Sequence, residues 1–310
     1  MATGSGKYEQ LLALCSGLAP ATTAVAHPCD SSSLTGALDA GRLGLIRPIL
    51  VGPEDKIRAV AREGKLELAG VRIVDVPHSH AAATRAVELV RAGEAEVLMK
   101  GSLHTDELMS AVVAKEGGLR TGRRISHAFL MDVPTYPKVF IITDGAINIA
   151  PTLEDKVDIV QNAIDLARSL DVALPKVAIL SAVETVTSKI PSTIEAAALC
   201  KMAERGQITG GLLDGPLAFD NAINREAART KGIRSDVAGD PDILLAPDLE
   251  AGNSLAKQLT FLANADSAGI VLGARVPIIL TSRADSVRAR TASCGVALRM
   301  VHARRRMRSL

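Results

Sequence analysis

Short β-branched runs alternate with stretches of helical length and periodicity, and this rhythm constrains the fold of the 310-residue chain more than any other feature. "TTAVAH", "PILVG", "VRIVDV" and "EVLMK" come first; "KVFIITDG", "KVAILSA", "ILLAPDL" and "GIVLGA" follow, with helical patterns such as "TLEDKVDIVQNAIDLARSL" and "STIEAAALCKMAERG" between them. Strands buried on both faces read as continuous apolar runs, and parallel strands need a crossover long enough to hold a helix. The pattern predicts an α/β protein with mostly parallel sheets and right-handed crossovers. Composition agrees: 47% of residues are apolar but only 2% aromatic, with no Trp, so Val, Ile, Leu and Ala must build the core. The length allows one large domain or two ordinary ones. No linker or low-complexity stretch marks a boundary, so the Gly- and Arg-rich segment "KEGGLRTGRRISHAF" places the change of sheet near residue 142.

Several function classes recede on composition. The paucity of aromatic side chains weakens any nucleic-acid reading built on base stacking. Cys15, Cys29, Cys200 and Cys294 lie far apart and form no CxxC pair, so neither a disulfide framework nor a zinc cluster is indicated and a reducing cytosol is expected. "LLALCSGLAPATTAVAH" is uncharged, but Gly17, Pro20 and its hydroxyl residues argue for a soluble helix followed by a strand rather than a membrane span. The formal charge of +2 is uneven: residues 283–310 hold eight of the 36 basic residues and one of the 34 acidic ones, and the arginines from 304 onward read as a solvated terminus.

Open α/β sheets present ligands at the carboxyl ends of their strands. Those positions read "MKGSLHTDE", "ITDGAINIAPT", "LSAVETVTSK", "LLDGPLAFDNA", "APDLEAGNS" and "LTSRADS". The N-terminal "GSGK" lacks the spacing, the metal-binding hydroxyl and the preceding strand of a phosphate loop. His78 and His80 share a spacing suited to one side of a strand, but without further ligands no metal site is expected. "GGLRTGRRISH" gathers Arg120, Arg123, Arg124 and His127 around glycines, as close approach to an anion or a solvated basic loop would. In "DGPLAFDNA" a Gly-Pro turn ends a strand, and Asp220 either caps the next helix or serves a ligand. "LTSRADS" delivers Ser282, Arg283 and Asp285 within one turn. That set suits attack by a thiol or phosphate on a carbonyl, or else Ser282 merely caps a helix.

The stretches "ILTSRADS", "DGPLAFDNAI", "VAGDPDILLAPDLEAGN" and "TDGAINIAPTLEDK", in that relative placement over residues 20 to 300, resemble the phosphate acetyltransferase and phosphate butyryltransferase family, with the butyryltransferase branch looking closer. The resemblance implies a two-domain enzyme related in fold to isocitrate dehydrogenase, with residues 1–141 plus 272–310 as one domain, 142–271 as the other, and the site in the interdomain cleft. It implies exchange of acyl-CoA and phosphate with acyl phosphate and CoA, a homodimer, and no prosthetic group or metal; neither nucleic acid nor membrane is an expected partner. Carried over by motif, Ser282 would hydrogen-bond the thiol and Arg283 would hold phosphate and stabilise the tetrahedral transition state. The acetyltransferase pattern places an Asp seven residues beyond the Ser, where this chain has Ala289, so Asp285 becomes the substitute candidate. An Arg expected in the helix after "MKG" is Ser110, which shifts phosphate binding to Arg123 or Arg124. His127, Asn148, Asp220 and Asn253 complete the expected substrate-binding set. A thiol and a free Asp differ by about 4.6 pKa units, roughly 6 kcal/mol, so an unassisted carboxylate is a poor base. The rival reading, suggested by Ala289 and Ser110, is a non-catalytic acyl-CoA- or nucleotide-binding protein on the same fold.

Overall fold

A computed structural model of the chain describes residues 6–281 and 285–308. From the N-terminus run α1 (Lys7–Cys15), β1 (Ala21–Ala26), α2 (Ser31–Arg42), β2 (Ile46–Gly52), α3 (Glu54–Glu63), β3 (Arg72–Asp75), α4 (Ser79–Arg91), β4 (Val97–Lys100) and α5 (Thr105–Val113). Next come β5 (Ser126–Asp132), β6 (Phe140–Thr143), α6 (Leu153–Ser169), β7 (Lys176–Leu180), α7 (Pro191–Glu204), β8 (Leu212–Leu217), α8 (Phe219–Ile223), α9 (Arg225–Thr230), β9 (Ile243–Leu245) and α10 (Leu249–Leu262). The chain ends with β10 (Asp266–Leu272), β11 (Ile278–Ile279) and α11 (Val287–Arg308). Two compact units form, one from Tyr8–Arg123 with Ala268–Leu310, the other from Arg124–Ser267 with Lys7.

In the first unit the strands follow the order β3-β2-β1-β4-β11-β10. All neighbours are parallel except β10 against β11. Ala24, Val25, Ala26, Val97, Leu98 and Met99 are wholly buried, as strands covered on both faces must be. Asp30 caps α2 by accepting from Ser33 N at 2.7 Å. His78 caps α4 in the same way, accepting from Ala81 N at 3.2 Å, so one half of the "HSH" pair has a local structural task. The basic C-terminus departs from the solvated tail expected of it: α11 continues to Arg308, and Arg305 grips Glu96 with two nitrogens, at 2.8 and 2.5 Å. A paired guanidinium fork ties down the end of a helix that charge alone would leave frayed.

In the second unit the order is β5-β6-β9-β7-β8, with only β5 and β6 antiparallel. Met131, Phe140, Ile142, Leu180, Leu217 and Leu244 form its core, with Phe129 and Tyr136 packed against them. Thr152 and Asp155 close a capping box at the head of α6. The last four residues of the segment read as a boundary, "SHAF", open the strand β5, and one local expectation is corrected. The Gly-Pro read as a turn lies within β8, which ends the strand order; there a missing N–H leaves no ladder partner unsatisfied. Lys7 of "GSGK" donates to Val133 O at 2.8 Å and pairs with Asp132 at 2.9 Å, a structural use of the residue.

Candidate active site

Because β5 runs antiparallel to β6, the start of β5 lies beside the end of β6, with Ala128 opposite Thr143. Asp144 follows at that edge, only 3% exposed, and both of its oxygens are engaged. Oδ1 accepts from Ala146 N at 2.8 Å and Ile147 N at 3.0 Å; Oδ2 accepts from His127 N at 3.1 Å and Asn148 Nδ2 at 2.6 Å. Asn148 also donates to Ile125 O, and its own Oδ1 accepts from Arg124 Nε at 2.7 Å. A line of hydrogen bonds thus runs from a buried carboxylate through an amide to a guanidinium, which Asp155 steadies from another side at 3.2 Å. The Arg124 side chain remains half exposed, with one flank fixed and another able to meet an anion.

His127 lies within the same cluster and is buried, its ring edge-on to Phe129 with centroids 4.3 Å apart. Burial pulls its pKa down to about 4 against the opposing pull of Asp144, so the imidazole is neutral at pH 7. Its Nδ1 is buried without a hydrogen-bond partner among the described residues. Buried polar atoms are normally satisfied, and a bare one beside a guanidinium is what a bound group would complete. Asn253, near the start of α10, donates to Gly145 O at 2.9 Å. The helix can come this close only because residue 252 is glycine: a Cβ there would lie 2.4 Å from Asp144 O. Ala251, on the neighbouring face, lines a cavity of about 460 Å³ with Leu180, Phe219, Ala246, Leu255 and Gln258. Its size and mostly apolar walls match small-molecule sites.

The structure therefore brings together Arg124, His127, Asn148 and Asn253. Asp220 stands apart from them: it lies in α8, just after β8, a strand three removed from β6, and pairs with Lys231 at 3.2 Å. Arg123 belongs to the first unit, exposed, with its backbone N–H on Thr121 Oγ1 at 3.1 Å. Ser282 and Arg283 lie outside the described residues. Asp285 is half-buried ahead of α11, and the cap of that helix is Ser286, whose Oγ accepts from Ala289 N at 3.1 Å. Ala289 is buried on α11 and offers no acid or base. Arg290 is buried beside it and donates to Thr281 Oγ1 at 3.1 Å. Among the described residues no cluster of three or more His, Cys, Asp or Glu is placed to hold a metal, and no helix is long and apolar enough to cross a membrane.

Two features went unread in the sequence. Asp144, the hub of the cluster, stood in "TDG" as one strand-end acid among several. Lys100, only 5% exposed at the end of β4, was visible in "MKG", but its burial could not be inferred from a run of four residues.

A family model described as "Phosphate acetyl/butaryl transferase" matches residues 77–294. The chain is 68% identical over 300 residues to a phosphate acetyltransferase of Rhizobium meliloti, with 97% of this chain and 95% of that protein covered. It is 42% identical over 263 residues to a phosphate butyryltransferase of Clostridium acetobutylicum, covering 85% and 89%. A branched-chain phosphotransacylase from Enterococcus faecalis V583 superposes with a TM-score of 0.80 at 31% identity, covering 91% of this chain and 99% of that one. The chain is thus more similar to this acetyltransferase than to this butyryltransferase, against the expected nearness of the butyryltransferase branch.

Proposed function

Because the chain belongs to the phosphate acetyl- and butyryltransferase family, we propose that it exchanges acyl-CoA and phosphate for acyl phosphate and CoA. The observation that carries this is the near full-length match to a phosphate acetyltransferase. The cluster around Asp144 supports it: a half-exposed guanidinium, a neutral imidazole with a bare nitrogen and an apolar cavity at one strand edge suit an anion joined to an acyl thioester.

In this reading Arg283 and Arg124 hold phosphate, with Arg123 as a further cation, and Ser282 donates to or accepts from the CoA thiol. Asp285 is the acidic member of the same motif. His127, Asn148, Asp220 and Asn253 complete the set that binds CoA and phosphate. The thiol attacks the carbonyl directly in a ternary complex, and the cations stabilise the charge gathered on the tetrahedral intermediate and the departing phosphate. The isocitrate-dehydrogenase-like architecture with an interdomain cleft, a homodimeric state, a cytoplasmic setting and independence from any prosthetic group belong to the same proposal.

The test is phosphate-dependent thiol release from acetyl-CoA, butyryl-CoA and longer esters. Release that requires phosphate, with a maximum at a short chain, is expected. CoA binding without phosphate-dependent release at any chain length would favour the non-catalytic binding reading instead.

A further inference from the structure

At the end of β1 the backbone is bent in a way that presents one side chain. His27 has φ 53°, in the left-handed region, which is costly for a non-glycine residue and persists only where surroundings over-determine it. They do so here. His27 N donates to Val51 O at 2.7 Å, and His27 O accepts from Cys29 N, from Ser102 N and from Ser102 Oγ, at 2.9, 2.9 and 2.8 Å. Residue 101 must be glycine for this approach, since a Cβ would lie 2.3 Å from Ala26 O and 2.5 Å from His27 O.

The same contacts determine the tautomer. Ser102 Oγ and His27 O, 2.8 Å apart, are two acceptors unless the hydroxyl proton lies between them. That proton is therefore not available to the imidazole, and Nδ1, 3.1 Å from Ser102 Oγ, must carry its own hydrogen and donate. Nε2 is left with a lone pair, which repels an anion but can accept a proton. Burial and Lys56 of α3 lower the imidazole pKa while Glu107 of α5 and Asp30 oppose them, so the ring is neutral at pH 7. Lys100, buried at the end of β4, His80, 3.9 Å from Glu107, and His104, at the head of α5 and also acting on Glu107, are further ionisable groups of this edge. Within this unit Ala26 is opposite Lys100 and Ile279 is opposite Met99, so β11 ends at the same edge, and Ser282 and Arg283 follow it in the chain.

We propose that His27, rather than Asp285, is the general base for the CoA thiol, an assignment that rests on the acyl-exchange reading. Nε2 takes the S–H proton, and the sulfur pair attacks the carbonyl carbon of acyl phosphate. The S–C bond forms, the C–O bond to phosphate breaks, and phosphate leaves with that electron pair; the proton then passes to solvent. In the reverse direction the imidazolium returns it to the departing thiolate. An unperturbed imidazole lies about 2 pKa units below a thiol, against about 4.6 for a carboxylate, and the lowering of His27 by burial and Lys56 gives back part of that advantage.

The experiment replaces His27 in the full chain by Gly, which suits the left-handed backbone, and by Gln, which keeps an acceptor that cannot take a proton. Both are expected to lower kcat on the order of 10²- to 10⁴-fold with little change in the KM for CoA. Added imidazole should restore His27→Gly in proportion to its neutral fraction, and His27→Gln should lose the acid limb of the kcat/KM profile. Either variant within threefold of wild type, or a His27→Gly deficit that imidazole leaves unchanged, overturns the assignment. A wild-type chain with no exchange at all would indict the acyl-exchange reading instead.

Discussion

Asp144 shows how one buried carboxylate can organise a loop and a side chain together. Its four donors converge on two oxygens, and Asn148 passes that order on to Arg124. Replacing it by Asn turns one acceptor into a donor facing N–H groups, which should cost roughly 2–3 kcal/mol in stability. Phosphate affinity should fall with it as Arg124 loses its orientation. Chemical denaturation and the KM for phosphate check both effects; an unchanged KM would mean that Arg124 is positioned by Asp155 alone. Arg124, His127, Asn148 and Asn253 could be picked out in the sequence as polar residues of glycine-rich segments around strand termini, where an α/β sheet presents ligands, and the structure places them in one cluster. Asp220, picked out on the same grounds, lies in α8 and pairs with Lys231. The sequence could not mark Asp144, because whether an acid is buried and fully bonded depends on residues 17 positions away, such as His127.

At the scale of elements, β1 and β4 depend on the closeness of their carboxyl ends. Gly101→Ala would push a methyl group into two backbone carbonyls that cannot swing aside. About 1–3 kcal/mol of destabilisation is expected, together with a loss of turnover as Ser102 moves from His27. A denaturant midpoint equal to that of wild type would show that the backbone relaxes without strain. Helices and central strands were readable because their periodicities and apolar runs are local. The antiparallel pairs β5–β6 and β10–β11 were not, since a strand's direction is set by its partner rather than by its own residues. The Gly-Pro of β8 was misread for a related reason: only its position at the end of the strand order makes a proline acceptable there.

Across the whole molecule, the cysteines and the buried charges are held in fixed protonation states. Cys15, Cys29, Cys200 and Cys294 are unbonded, and burial pushes their pKa values to about 11 or 12, so none is a reactive thiolate at pH 7. On the edge of the second unit away from Asp144, Asp240 accepts from Lys138, Lys176 and Arg225. Burial raises its pKa, but the two lysines more than offset this and hold it at about 2 instead of 3.8. A depressed carboxyl pKa contributes stability above the unfolded value and loses it as pH falls through the folded one. Stability should therefore decline between pH 3.8 and about 2, and Asp240→Asn should flatten that decline when unfolding is followed at several pH values.

The central claim, that this family member transfers an acyl group between CoA and phosphate, is tested most directly by watching the acyl phosphate itself. Phosphorus NMR of the purified chain with acetyl-CoA and phosphate should show an acyl phosphate resonance growing in step with free thiol, one for one, and absent with Arg283→Ala. Thiol appearing without that resonance, or CoA bound with neither product, would contradict the account.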